Sequence, residues 1–412
     1  MPDRLPAFSA YGIELEYMLV DRDTLNIRPI ADQLLAALQP PRDAIVDCSN
    51  ELVNHVIEIK NPVPTDLANL PAAFQQQICQ LNAWLAEHNA CLMPTAMHPW
   101  MNPAQETQLW PHDDADIYST FDALFDCKRH SWANVQSMHI NLPFANDSEF
   151  ERLHTAIRML LPILPAIAAS SPIADGQATG YLDYRMHVYR DQSPDLPRIV
   201  GDVIPELVKS ESEYRSNVLE PIYQEIAPLD PQRTLQFEWL NARGAIARFD
   251  RHAIEIRVMD VQECPKADIA LAALVIDTVH ALYHQHFSTL ALQQALPGPM
   301  LSNQLAQCSR DAEEAEILAL AYRAAWGYSG EGCNAKELWR HIGQVLQQQG
   351  SHHIDMWKHH LDYVLEKGSL GRRILAQTGE HPSATILRNT YKNLTQKLDA
   401  GTVFDPQPAV NP

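Results

Sequence analysis

No two cysteines in this chain are spaced as CxxC, and no stretch is apolar for long enough to cross a bilayer. The seven cysteines, Cys48, Cys79, Cys91, Cys127, Cys264, Cys308 and Cys333, are scattered and odd in number. That argues against a disulfide framework and a thiolate zinc site, and fits a reducing compartment. The longest apolar run, Met159 to Ala169, is broken by Pro162 and Pro165, far short of the roughly 20 residues a spanning helix needs. The opening MPDRLPAFSAYG has two basic residues but no apolar core like that of a secretory leader. A cytoplasmic protein without membrane contact is expected. Basic charge is scarce as well: 31 Lys and Arg stand against 51 Asp and Glu, a formal net charge of -20. Such a field repels a polyphosphate backbone, so nucleic acid is not an expected partner. A small anion such as ATP could be held only where local arginines and bound divalent cations overcome that field. The glycine-rich nucleotide loops GxxxxGK[ST] and GxGxxG are also missing, as are the GxSxG elbow and the HExxH zinc motif. Any nucleotide must therefore be gripped through metals on a carboxylate-lined surface.

What is present is a globular chain of 412 residues, 46% hydrophobic, with material for a large core. Up to about Pro143, short β-patterned runs (Tyr11 to Val20, Val56 to Ile59, Ser137 to Leu142) alternate with a helical stretch at Ala72 to His88. Glu149 to Ala169 reads as an apolar helix, and Ser171 to Tyr189 as a Gly-, Asp- and Tyr-rich loop over a site. Further strands are expected at Leu235 to Leu240 and Ala253 to Met259, then helices at Ala267 to His286, Asp311 to Ala325, Ala335 to Gln348, His353 to Glu366 and Ala384 to Leu398. The expected fold is α+β: an antiparallel β-sheet with a concave active-site face, backed by helices, and largely helical from about residue 300. Residues 1–400 are expected to form a single unit and 401–412 a flexible tail.

The chemistry concentrates on the strands. In Gly12-Ile-Glu-Leu-Glu-Tyr-Met-Leu-Val-Asp21, Glu14 and Glu16 are two apart and share a face, while Ile13, Leu15 and Tyr17 take the other. Two carboxylates within about 7 Å repel unless a cation relieves them, and Mg²⁺ suits a carboxylate pair. Taken alone this is equally an ordinary alternating strand with a solvated face. The pattern recurs, however: Glu51 and Glu58 bracket Val56 and Ile57, with Pro62 closing the run. His139 and Asn141 share a face in Met-His-Ile-Asn-Leu, as do Glu255 and Arg257 in Ala-Ile-Glu-Ile-Arg-Val-Met-Asp260. As neighbours in one sheet these strands would present five carboxylates, an imidazole and a guanidinium, enough for two or three Mg²⁺ ions and a phosphate contact.

The segments GIELEYMLVD, ELVNHVIEIKNPVP, SMHINLP, SSPIADGQATGYLDYR and ARFDRHAIEIRVMDVQECPKADIA, in this order, resemble the glutamate-cysteine ligases and related carboxylate-amine ligases. The fold of that family is similar to glutamine synthetase and the guanido kinases. The resemblance implies ATP-dependent ligation of the glutamate γ-carboxylate to the amine of cysteine or a related amine, a step of glutathione biosynthesis. It implies Mg²⁺ as cofactor (two or three ions, with Mn²⁺ an alternative) held by Glu14, Glu16, Glu51, Glu58, His139 and Glu255. Arg257 would face the transferring phosphoryl group, and Arg185, Tyr181 and Asn141 would border the amino-acid substrate. The expected partners are ATP, glutamate and the amine, and a homo-oligomer is left open. The lead-in Ala-Arg-Gly-Ala-Ile-Ala-Arg-Phe-Asp-Arg-His-Ala departs from the proline-rich segment of several family members. Arg243, Arg248 and Arg251 are thus either substrate contacts or surface charges. The implied chemistry is attack of the carboxylate on the γ-phosphorus, giving an acyl phosphate that the amine then opens, with Gly176 to Tyr189 as a lid that excludes water. A phosphotransferase like the guanido kinases and a non-catalytic binding protein on the same scaffold are the competing readings. Several histidines are set apart from this constellation. His280 and His284 have the i,i+4 spacing of a metal pair but no third ligand nearby in sequence, and His352, His353, His359 and His360 read as a solvated helical face. Cys264 reads as packing.

Overall fold

The computed structural model describes residues 4–38, 44–61 and 66–406. Its centre is a seven-stranded sheet of β1 (Gly12–Asp21), β2 (Asp47–Asn50), β3 (Val56–Lys60), β4 (Ala90–Met93), β5 (Ser137–Pro143), β8 (Ala245–Arg248) and β9 (Ala253–Asp260). A separate two-stranded hairpin, β6 (Ile173–Ala174) with β7 (Gln177–Ala178), lies between them in the chain. The order across the sheet is β2, β3, β1, β5, β9, β8, and every pairing is antiparallel. β1 is long enough to pair β5 through Gly12 to Leu15 and β4 through Met18 to Asp21. The strongest alternation in the sequence thus becomes the middle of the sheet.

Alternation also decides what each face does. Ile13, Leu15, Tyr17, Ile57, Met138 and Ile256 are completely buried on one face. There they pack on helices whose apolar spacing matches. In the helix Leu70–Glu87 the buried residues are Leu70, Phe74, Ile78, Leu81 and Leu85, one stripe at three- and four-residue steps. The helix Pro265–Tyr283 is apolar around nearly its whole circumference and is buried accordingly. The helix Asp147–Leu160 starts where the Asn146 side chain accepts from the Glu149 N–H at 3.1 Å. The other face of the sheet keeps the acids.

Several expectations need correction. Glu149 to Ala169 is not one helix, because Pro162 and Pro165 cannot donate to an unbroken ladder. It divides into Asp147–Leu160, the 3-10 turn Leu161–Ile163 and Pro165–Ala168. Leu235 to Leu240 is not a strand: the Asp230 carboxylate takes the N–H groups of Thr234 and Leu235 at 2.8 and 2.9 Å, and a 3-10 turn Glu238–Leu240 follows. Residues 171–189 are not a loop throughout, since they hold the β6–β7 hairpin and a helix Tyr184–Arg190 capped by Asp183. Asp311 to Ala325 is interrupted where Ala312 takes φ +48°, which ends the helix Gly298–Asp311. Beyond it come the 3-10 turn Ala312–Glu314 and the short helix Leu320–Ala325. The helices Ala335–Gln349, Ile354–Lys367 and Ala384–Ala400 match the reading closely. His360 is buried and the His353 Nδ1 lies 2.8 Å from Asp277, so these two histidines do not face solvent. Phe404 is fully buried and its N–H reaches Glu263 at 3.2 Å, so the expected tail is anchored at least to that point. Residues 407–412 and Pro62 lie outside the described residues. Among the described residues no helix is long and apolar enough to cross a membrane.

Candidate functional site

Register brings the acidic face together. Glu16 lies opposite Glu58 and Glu14 opposite Lys60 across β1 and β3. Glu14 also lies opposite His139 across β1 and β5, and Asn141 opposite Glu255 across β5 and β9. Directly opposed side chains stand about 5 Å apart at Cβ, so four strands converge on one patch. Between Met138 and Ile140 the β5–β9 register shifts, and the single residue His139 faces two residues, Arg257 and Val258. This bulge reverses the parity of β9. Glu255 and Arg257 point to the acidic face, and so does Asp260, three residues on, opposite Ser137.

Two groups of three donors result. Single ligand atoms of Glu14, Glu58 and His139 all lie within 4.8 Å of one another, and so do those of Glu16, Glu51 and Glu58. His139 Nδ1 is 3.0 Å from Glu14 Oε2, and its Nε2 is 2.7 Å from Ser137 Oγ. Glu16 Oε2 accepts from the Ser137 N–H at 2.7 Å. Lys60 Nζ donates to Glu58 at 2.5 Å and to Ser49 Oγ at 2.8 Å.

The electrostatics show how strongly this patch wants positive charge. Burial, then the charges of Glu16, Glu58 and Glu14, push the Glu51 carboxyl well above the ordinary range. Burial followed by Glu14 raises Glu58 as well. Burial works against a charged His139, yet the hydrogen bond with Glu14 and the charges of Glu16 and Glu255 outweigh it and hold the imidazole at about 9. Glu255 is the exception: burial would raise it, but Arg257 and His139 bring it down to about 2. Arg257 donates to Glu255 Oε1 through Nε at 3.0 Å and Nη2 at 2.6 Å.

These groups line a cleft of about 580 Å³. Its far wall is aromatic. Tyr118 and Phe121 come from the helix Ala115–Phe125, and Trp132 and Trp239 complete the surface, with ring centres of Phe121 5.4 Å from Trp132 and 5.6 Å from Trp239. Arg185, Arg248 and Arg251 also line the cleft. Arg185 sits in the first turn of the helix Tyr184–Arg190 and donates through Nε to Asp260 at 2.6 Å and through Nη2 to the Arg257 carbonyl at 3.2 Å. Asp260 further accepts from the Ser170 N–H and Ser171 Oγ at 2.8 and 2.7 Å.

The cleft therefore gathers Glu14, Glu16, Glu51, Glu58, His139, Glu255, Arg257 and Arg185. Two expected residues are placed differently. Asn141 donates to Glu14 Oε1 at 3.2 Å from behind it and does not line the cleft. Tyr181 does not line the cleft and is stacked on His187 with ring centres 4.3 Å apart, whereas Arg185 and Tyr189 of the same expected lid segment do line it. Arg243 is neither a cleft residue nor a surface charge, because it is buried in a two-pronged pair with Glu206 at 2.6 Å on both prongs. Lys60, Asp260 and the aromatic wall were not expected. Lys60 shares strand parity with Glu58 and was legible on that ground, whereas the bulge hides Asp260 and nothing in the pattern marks the wall. Cys264 is buried at the start of the helix Pro265–Tyr283, as expected for packing.

Comparison with known proteins gives the chain a family. The profile of glutamate-cysteine ligase family 2 matches residues 10–381. An uncharacterised protein of Archaeoglobus fulgidus is 32% identical over 402 residues, covering 95% of this chain and 99% of that protein. A protein of Ruegeria pomeroyi provisionally named glutamate-cysteine ligase 2 is 26% identical over 269 residues, 64% of this chain and 63% of its own length. Among solved structures, the glutamate-cysteine ligase of Francisella tularensis in complex with AMP superimposes with a TM-score of 0.59 at 13% identity, covering 94% of this chain and 88% of that one. At that identity the likeness speaks for the fold alone: an antiparallel sheet backed by helices.

Proposed function

Because the chain belongs to glutamate-cysteine ligase family 2, we propose that it is an ATP-dependent carboxylate-amine ligase. It joins the glutamate γ-carboxylate to the amine of cysteine or a related amine through an acyl phosphate, releasing ADP and phosphate. The observation that carries the proposal is the convergence of six metal-ligating side chains and Arg257 on one cleft. The oxygen-rich donor sets fit hard divalent cations. Burial and neighbouring carboxylates raise Glu51 and Glu58 even with Lys60 at 2.5 Å from Glu58, so the group favours further positive charge. Glu14, Glu58 and His139 would hold one Mg²⁺ or Mn²⁺ and Glu16, Glu51 and Glu58 another, with Glu255 available for a third. Bound there, the ions supply charge neutralisation for the transferring phosphate.

The protein's own groups do the rest. Glu255 fixes the Arg257 fork in direction, so that its charge meets the equatorial oxygens of the γ-phosphoryl group without reorganising. Asp260 holds Arg185 by Nε, aiming the guanidinium at a substrate carboxylate. Asn141 orients Glu14 and Ser137 orients His139, as positioning residues. The aromatic wall keeps water from the acyl phosphate, which would otherwise hydrolyse and waste the nucleotide.

The test is an ADP-release screen of glutamate against a panel of amines, with and without Mg²⁺. The proposal expects ADP and inorganic phosphate only when metal, glutamate and an acceptor amine are all present. A stable phosphorylated product without an amine would instead mark a phosphotransferase, and no ADP release in any combination would mark a non-catalytic scaffold.

A further inference from the structure

Among the described residues, those that line the cleft lie between Glu14 and Arg257, and the C-terminal helices supply none of them. One of these helices nevertheless touches the mounting of Arg185. The helix Leu370–Thr378 starts behind a Ser369 cap, and its second residue is Gly371. Glycine inside a helix is unfavourable relative to alanine, so its presence calls for a physical reason. Here the reason is space. A Cβ at Gly371 would stand 2.7 Å from the Leu182 carbonyl oxygen and 3.2 Å from that of Ala169. Both are backbone atoms, which cannot swing aside as the tip of a side chain can. The Gly371 N–H donates to the same Ala169 carbonyl at 2.7 Å, which holds the helix flush against that backbone.

The touched carbonyl belongs to the frame that sets the guanidinium. Leu182 O accepts from the Ser171 N–H at 3.1 Å, and Ser171 pairs with Asp183 as a parallel bridge. Ser171 Oγ donates to Asp260 at 2.7 Å and accepts from the Arg185 N–H at 3.1 Å, while Asp183 caps the helix that carries Arg185. Contacts therefore run from Gly371 through Leu182 and Ser171 to the backbone of Arg185 and to the carboxylate that grips its Nε. The end of β9 is held by the same helix. Arg373, two residues beyond Gly371, is buried and donates through Nη1 to the buried Glu263 at 2.7 Å, and Glu263 follows Asp260 by three residues. Arg373 Nη1 also donates to the Phe404 carbonyl, Tyr363 Oη donates to that carbonyl at 3.1 Å, and the Phe404 N–H closes on Glu263. Parting a buried ion pair strands a charge, so this clasp keeps the helix against the strand end.

We propose that the helix Leu370–Thr378 positions Arg185 for the substrate carboxylate, with Gly371 setting the distance and the Glu263–Arg373–Phe404 clasp holding the helix in place. This rests on the reading of Arg185 as the group that binds glutamate. Gly371, Ser171 and Arg373 are positioning residues, since none of them lines the cleft. The C-terminal part of the chain thereby tunes affinity for glutamate and leaves the nucleotide and its metals alone.

The experiment compares full-length Gly371→Ala, Gly379→Ala and Arg185→Lys with the wild type, measuring kcat, the KM for glutamate, the KM for ATP and the thermal midpoint. Gly379 ends the same helix at φ +71° with nothing within 4 Å of an added Cβ, so its alanine variant strains the helix without pressing on Leu182. A displacement of about 1 Å can cost about a hundredfold, and Gly371→Ala is expected to raise the KM for glutamate by about tenfold or more with the KM for ATP unchanged. Gly379→Ala should lower the thermal midpoint and leave both KM values as they are. Phe404→Ala, which loosens the clasp without adding an atom, gives the same reading as Gly371→Ala should the latter not fold. An unchanged KM for glutamate in these variants, with Arg185→Lys raising it, would overturn the inference alone. So would equal rises in Gly371→Ala and Gly379→Ala, the sign of general loosening. If Arg185→Lys itself leaves the KM for glutamate unchanged, the reading of Arg185 falls and the inference falls with it.

Discussion

Glu58 is shared by both three-donor groups of the cleft, so replacing it removes a ligand from each at once. Glu58→Gln keeps the shape and the strand but removes the charge. It is expected to lower Mg²⁺-dependent ADP release by about two orders of magnitude or more, since several kcal/mol of transition-state stabilisation rest on the ions. Steady-state assays over a range of Mg²⁺ concentrations check this, and full activity at saturating metal would count against the assignment. Asp260 makes a different kind of contribution. It is fully buried and holds Arg185, itself 2% exposed. Asp260→Ala strands a buried guanidinium and should cost roughly 3 to 5 kcal/mol of stability, measurable by urea denaturation. A loss near zero would mean that Arg185 finds another partner. The difference in how these two residues could be read is instructive. Glu14, Glu16, Glu58, His139, Glu255 and Arg257 were visible because strict two-residue alternation survives in each strand. Asp260 was not, because its place on the acidic face exists only through the bulge that sets His139 against two residues of β9.

At the scale of elements, the sheet is legible and its covering is not. Alternating Glu and apolar residues state which face of β1 is buried, and the stripe from Leu70 to Leu85 states where its helix lies. The short edge strands β2 and β8 carry too few residues to show a period, and both were missed. Tyr181 was expected at the site from the family resemblance of its segment, but the chain there closes into a hairpin and a capped helix, with the ring stacked on His187 and outside the cleft lining. The element that does face the acids is the helix Ala115–Phe125. If its aromatic side shields the acyl phosphate, Phe121→Ala should raise ADP formed per amide formed, with the sheet intact. Parallel measurement of ADP and product tests this, and an unchanged ratio would remove the helix from that role.

For the whole molecule, four histidines set the acid limit. Burial brings His55, His98 and His360 down to about 4, and burial with Arg158 brings His154 down to about 3. In the unfolded chain each titrates near 6.5. Between these values the unfolded state binds more protons at these four positions, so their contribution to stability is complete above about pH 6.5 and falls as the pH drops toward about 4. The raised Glu51, Glu58 and His139 act in the opposite sense, so the quantity to measure is the unfolding midpoint at about pH 7 minus that at about pH 5 in wild type and in a histidine variant. His154→Phe should lessen the difference, as neither ring nitrogen of His154 has a hydrogen-bond partner to lose. A difference that His154→Phe leaves unchanged would contradict the account.

The claim on which the rest depends is that the cleft activates a carboxylate by phosphoryl transfer. Glutamate labelled with heavy oxygen in its γ-carboxylate, incubated with ATP, Mg²⁺ and an accepted amine, tests it most directly through the mass of the phosphate released. The account predicts that one labelled oxygen passes to phosphate with each amide bond made. Amide formation with unlabelled phosphate would contradict it.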